Sequence, residues 1–204
     1  RGGHARGKAR QSSNPVAIEQ GRYKVILEQQ AVGVLVQLLG FGLQARNADE
    51  ERSAFSKPGG GNKIGDQIVD KRITIFSDPQ DPQLLAQPYD GQGLPLSRQV
   101  WVENGALKQL VYSRFWAQKQ GKVATGGPSS IKLVGGDTSM DDMIKSTPRG
   151  VLVTRLWYLR MVDPRTILIT GLTRDGTFLI ENGKSSTAIK NFRFNESQPF
   201  LLSN

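Results

Sequence analysis

The stretch Val151–Glu196, VLVTRLWYLRMVDPRTILITGLTRDGTFLIENGKSSTAIKNFRFNE, decides the fold. It reads as at least three strands joined by tight turns. Val151, Val153, Leu156, Leu159 and Val162 are too apolar for a loop and too irregular for one helical face. Asp163-Pro164-Arg165 breaks the run, because proline has no amide donor and fixes its own φ. Thr166–Thr170 is dense in β-branched residues, as a strand with both faces partly covered should be. Arg174-Asp175-Gly176 carries the chemistry of a hairpin turn, since Asp-Gly tolerates positive φ, and Glu181-Asn182-Gly183 offers a second such turn.

Upstream, the chain must supply the rest of a sheet. Tyr23–Leu27 reads as a short strand. The one long helix spans Gln29 to about Asn47, where Val32, Leu35, Val36, Leu39 and Leu43 recur at helical spacing. Gly33, Gly40 and Gly42 each cost that helix about 1 kcal/mol against alanine, so either something packs closely there or the helix is irregular. Ala48–Asp66 is a polar, glycine-rich excursion. A strand is expected at Ile73–Phe76, and a hairpin at Arg98–Val102 and Ala106–Tyr112 around Glu103-Asn104-Gly105. Ser113–Gln120 and Ser139–Lys145 read as short helices, the second with Thr138 as its N-cap and Asp141 and Asp142 where the helix dipole favours acids. The fold class is α+β: a mainly antiparallel sheet or partly closed barrel, with one long helix and one or two short ones.

Composition bounds the function. The 204 residues carry a net charge of +9, and four of the positive charges (Arg1, Arg6, Lys8 and Arg10) fall in the first ten residues. Residues 1–20 therefore read as a basic flexible leader and 21–204 as the domain proper. The charge raises acidic partners, including nucleic acid, but leaves an ordinary balance on the domain. There is no cysteine, which excludes disulfides, thiolate zinc sites and cysteine nucleophiles and fits a reducing, cytoplasmic setting. No apolar run reaches membrane-span length, and no signal-peptide series is present.

The chemistry-bearing residues are few. The single histidine, His4, lies in the leader without clustered ligands, a poor metal site. Gly59-Gly60-Gly61-Asn62-Lys63 lacks phosphate-loop spacing and reads as a mobile loop. Asp141-Asp142 reads as helix-start charge. Trp101, Trp116, Trp157 and Tyr158 could form a binding platform, though aromatics in β-rich chains are usually core. Read residue by residue, the sequence gives a β-rich scaffold with no self-contained catalytic apparatus.

The order of its motifs resembles the C-terminal domain of the TldD/PmbA family, the peptide-maturation proteins also called modulators of DNA gyrase. The matching pieces are Gly150–Arg155 with Trp157-Tyr158, Val162–Thr166, Thr170–Gly176, Ile180–Gly183 and Lys190–Glu196. Asp90-Gly91-Gln92-Gly93-Leu94-Pro95 and Ala124-Thr125-Gly126-Gly127 resemble two of its loops. One branch of the family carries a His-Glu-x-x-x-His zinc motif on the helix after a Gly-Val-Leu-Leu segment. Here Gly33-Val34-Leu35-Val36 resembles that segment. Gln37 then stands for the first His, Leu38 for the Glu base and Phe41 for the second His, with one residue missing between them. Glutamine is a weak ligand, leucine cannot take a proton and phenylalanine cannot coordinate zinc. With the shorter spacing, Gln37 and Phe41 fall on one face of a regular helix, with no need of a bulged turn.

The resemblance implies a degenerate zinc site with no catalytic residue of its own. It implies the non-catalytic, PmbA- or TldE-like branch: a subunit that binds peptide and pairs, as a homo- or heterodimer, with a zinc-bearing TldD-like partner in peptide maturation. No cofactor is expected in this chain; zinc belongs to a catalytic relative or partner. Strand addition at a sheet edge is the physical mode for peptide, with Arg155, Trp157 and Tyr158 as contact surface. The competing readings are an active zinc metallopeptidase of the same family and, more weakly supported, a basic nucleic-acid-binding module.

Overall fold

The structure, a computed structural model, describes residues 2–203; Arg1 and the side chain of His4, both part of the expected leader, lie outside the described residues. In chain order the elements are α1 (Gly2–Gln11), β1 (Val25–Leu27), α2 (Gln29–Gly42), α3 (Ala45–Asp49), β2 (Ile75–Ser77), β3 (Gln99–Glu103), β4 (Ala106–Leu107), α4 (Arg114–Lys119), β5 (Ile131–Leu133), α5 (Met140–Lys145), β6 (Arg149–Asp163), β7 (Leu168–Glu181), β8 (Lys184–Ala188), β9 (Arg193–Ser197) and α6 (Gln198–Leu201). The fold is α+β. One sheet, ordered β1-β6-β7-β8 with β9 also paired to β7, curls into a half-barrel, and β4-β3-β2-β5 form a second, antiparallel sheet. No helix among the described residues is long and apolar enough to cross a membrane.

The chain divides into two compact units. One takes in the chain up to Val34, Gly136–Arg160 and Thr170–Asn195; the other takes in Leu35–Gly135, Met161–Ile169 and the chain from Glu196. In the first, β1 runs parallel to β6, pairing Val25 with Val151 and Leu27 with Val153. Ile26, Leu152, Phe178, Ile180 and Ala188 bury one sheet face, and Met140, Met143 and Ile144 of α5 pack against it. Each such aliphatic side chain contributes about 1.5–3 kcal/mol when fully buried. Just past the end of β8, Val16 bridges Ile189: the Val16 amide donates to the Ala188 carbonyl and the Lys190 amide to the Val16 carbonyl, both at 2.9 Å. In the second unit the core is built on Leu39, Leu43, Phe55, Ile75, Trp101, Leu107 and Ile167, all almost wholly buried.

Several elements differ from their sequence readings. The segment read as loose before Gly21 contains α1, a polar helix held to the sheet by Lys8, whose ammonium donates to Glu28 at 2.5 Å. The long helix stops at Gly42 and the chain re-enters as α3. A Cβ at Gly42 would meet Ile167 Cδ1 at 3.0 Å and Phe55 Cε2 at 3.3 Å, so close packing explains that glycine. The α5 N-cap is Ser139, not Thr138. Its hydroxyl accepts from the Asp142 amide at 3.1 Å and donates to the Asp142 carboxylate at 2.7 Å, a reciprocal cap.

The largest difference lies at Arg174-Asp175-Gly176, which forms no hairpin. β7 runs through it unbroken, with Asp175 at φ 58 and Gly176 at φ 128. Positive φ serves a glycine-type bulge as well as a tight turn, and here β7, paired to β6, carries it within a continuous strand. The other two turns form as read, with positive φ at Asn104 and Gly105 and at Asn182 and Gly183. At Asp163-Pro164-Arg165 the Asp163 carboxylate accepts from the Arg165 amide at 2.9 Å and the Thr166 hydroxyl at 3.1 Å. The Arg165 amide bond is the largest of the contacts holding that carboxyl below its usual range.

Candidate functional site

The helix α2 carries two unlike faces. Leu35, Val36 and Leu39 turn inward, as does Leu43 just past the helix end, with Leu39 and Leu43 at 1% and 0% exposure. Gln37 and Phe41, four residues apart, lie on the outward side, and Phe41 is 64% exposed. Leu38, one step round the helix, is half-buried. The helix is regular from Gln29 to Gly42, with no bulged turn. The outward stripe thus presents an amide and a benzyl ring, and among the described residues no group of three His, Asp or Glu side chains stands close enough to hold a metal ion.

The three tryptophans divide sharply. Trp101 is fully buried and its indole N–H donates to Ser77 Oγ at 2.9 Å. Trp116 is 4% exposed and donates to Asp49 Oδ2 at 2.7 Å. Both are core. Trp157 stays 43% exposed, and Tyr158 beside it 53%. Trp157 and Tyr158 are consecutive exposed residues of β6, and Tyr158 sits at φ +53. The left-handed region costs a residue with a Cβ about 1–2 kcal/mol, so the sheet holds Tyr158 against a local preference.

Around these rings lie the guanidiniums of β6 and β7. Arg155 sits 5.6 Å and Arg174 5.2 Å from the Trp157 ring centre, and Arg160 sits 4.4 Å from that of Tyr158. Arg155 Nη1 also donates to Asp175 Oδ2 at 2.6 Å. The bulge at Asp175 serves this pairing from behind, because the Thr154 hydroxyl donates to the Asp175 carbonyl at 3.1 Å. The three residues singled out in the sequence, Arg155, Trp157 and Tyr158, are therefore together on one unit. Gln37, Leu38 and Phe41 belong to the other. Sequence reading missed Arg160 and Arg174, whose only signal is their closeness in sequence to aromatic and turn residues. It also missed a polar network in the second unit. Asn62 Nδ2 donates to Asp49 Oδ1 at 2.6 Å and to the Tyr112 hydroxyl at 3.3 Å, and Lys122 donates to the same hydroxyl at 2.7 Å. Nothing local in the sequence links residues so far apart.

Two loops quoted in the resemblance are firmly shaped. Asp90 Oδ1 accepts from the Gln92 and Leu94 amides at 2.8 and 2.9 Å, and Thr125 Oγ1 accepts from the Tyr112 amide at 2.8 Å. The model of the PmbA/TldA metallopeptidase C-terminal domain matches residues 20–204. The chain belongs to the PmbA/TldD family. A metalloprotease of Archaeoglobus fulgidus is 24% identical over 197 residues, covering 94% of this chain and 41% of its own length. A TldD-homologue metalloprotease of Buchnera aphidicola is 26% identical over 186 residues, 84% of this chain and 37% of its own. The crystal structure of TldE from Thermococcus kodakarensis superposes with a TM-score of 0.81 at 24% identity, covering 97% of this chain and 46% of that one. The chain thus spans less than half the length of the relatives it matches. For the zinc that the family description implies, the described donor set is a poor fit: the α2 stripe contains no imidazole, carboxylate or thiolate.

Proposed function

We propose that this chain is a non-catalytic, peptide-binding member of the PmbA/TldD family that pairs with a zinc-bearing TldD-like subunit in peptide maturation or proteolysis. The observation that carries the reading is the outward face of α2, where Gln37 and Phe41 stand at the places the resemblance gives to imidazoles, and Leu38 at that of the general base. None of the three can both hold and activate a hydrolytic water. A peptide needs no catalytic side chain to be held at a sheet margin. β1 ends the strand order of the half-barrel, so its outer backbone groups have no strand partner among the described residues, which supports strand addition there. The half-buried Arg155 and the exposed Trp157 and Tyr158 are the proposed side-chain contacts. A cytoplasmic setting is part of the proposal and suits a chain without cysteine.

The test is metal content and peptidase activity, measured for the chain alone and mixed with a TldD-like relative from the same cell. The expected result is well under one zinc per chain, no cleavage alone, and co-purification with a zinc-bearing partner. One zinc per chain with chelator-sensitive cleavage overturns the reading in favour of an active metallopeptidase.

A further inference from the structure

We propose that the exposed aromatic pair of β6, with the arginines around it, selects acidic peptide segments. The proposal rests on the peptide-binding reading above and names the chemical class of the peptide. Within this cluster, three guanidiniums face one carboxylate. Arg155 is committed to Asp175 at 2.6 Å, whereas Arg174 reaches the same carboxylate only at 3.8 Å. Arg160 has no carboxylate partner among the described residues and donates only to the neighbouring Leu159 carbonyl, at 3.0 Å. Arg160 is thus a cation held by a ring without an acid, and Arg174 shares at longer range an acid already bonded to Arg155, so the cluster keeps a surplus of positive charge. A guanidinium stacked on an aromatic face keeps its N–H edges free for a carboxylate and loses little freedom on binding one.

The aromatic side chains supply the other half of the surface. Trp157 and Tyr158 are both exposed, and Tyr158 is held at a positive φ. Large rings left in solvent by a strained backbone suit burial against a partner's apolar side chains and main chain. An alternating acidic and apolar segment meets both demands at once. A nucleic-acid strand meets them less well, since base stacking needs a free ring face and each ring here already carries a guanidinium within 5.6 Å.

Trp101 and Trp116 are buried, so acrylamide quenching of tryptophan fluorescence in the full 204-residue chain reports on Trp157. Three probes are added: a ten-residue peptide alternating Glu with Val, its Gln-for-Glu counterpart, and single-stranded oligonucleotide of mixed sequence. The Glu peptide is expected to shield Trp157 and to bind about tenfold tighter than the Gln peptide, with the difference shrinking at high salt. The Arg160→Gln, Arg174→Gln double variant, checked for unchanged circular dichroism, is expected to lose the difference while still binding both peptides. Equal binding of the two peptides by the unaltered chain overturns the acidic preference and leaves the peptide-binding reading standing. Absence of shielding by either peptide overturns both for this surface. Tighter binding of the oligonucleotide overturns the proposal in favour of nucleic acid.

Discussion

The outward stripe of α2 and the exposed end of β6 are both solvent-facing, yet they are built differently. The helix stripe is relaxed: regular backbone, one uncharged amide and one ring. The β6 surface is strained and charged, with a left-handed tyrosine and guanidiniums against both rings. Where the family resemblance points to chemistry, this chain is bland. Where the sheet holds a costly conformation, it is rich in cations and exposed rings. The difference teaches that a position's ancestry and its present physical equipment are separate evidence, and here they diverge.

The contrast within α2 gives the largest expected effect. Leu39→Ala, at 1% exposure, should cost about 2–5 kcal/mol of stability, whereas Phe41→Ala, on the outward stripe, should stay within about 0.5 kcal/mol. Urea unfolding of the two variants checks this, and a large loss for Phe41→Ala would mean that the stripe is covered in the working assembly. Next comes Tyr158. Valine favours strands, but a β-branched residue at positive φ is a steric outlier, while asparagine tolerates it. Tyr158→Val should therefore be about 1–2 kcal/mol less stable than Tyr158→Asn, and the reverse order would show a regular strand there.

The smallest effect is one of pH and lies away from both surfaces. The Arg72 side chain, by its hydrogen bond, lowers the Asp70 carboxyl from 3.8 to about 2. A folded pKa below the unfolded one means that the unfolded chain binds the proton first. The stabilisation is therefore complete above about 3.8 and fades as pH falls toward about 2. Asp70→Asn should flatten acid unfolding in that window and lower stability by one constant amount at every pH above it, an amount kept small because the Arg72 side chain is exposed.

Much of the fold is legible in local chemistry. The two Asn-Gly turns, the proline break after Asp163 and the apolar period of α2 all declare themselves within a few residues. Asp175-Gly176 does not, because positive φ serves a turn and a bulge alike and only the partner strand decides between them. The first helix, α1, is hidden by its glycines, which argue against any helix until the bond from Lys8 to Glu28 is seen. Which tryptophan stays exposed is equally illegible, since Trp101, Trp116 and Trp157 differ in what lies across from them rather than in what flanks them. The cations at positions 160 and 174 come into view only when strands are paired.

The single-residue bridge at Val16 has a consequence for how copies of this molecule behave beside one another. An uncovered strand margin is a template on which like chains can stack without limit. By setting one valine beside Ile189, just past the end of β8, the polypeptide caps that end of the rim with its own backbone, whereas β1 ends the strand order at the opposite rim. Stacking of like chains is thereby hindered at the capped end of β8.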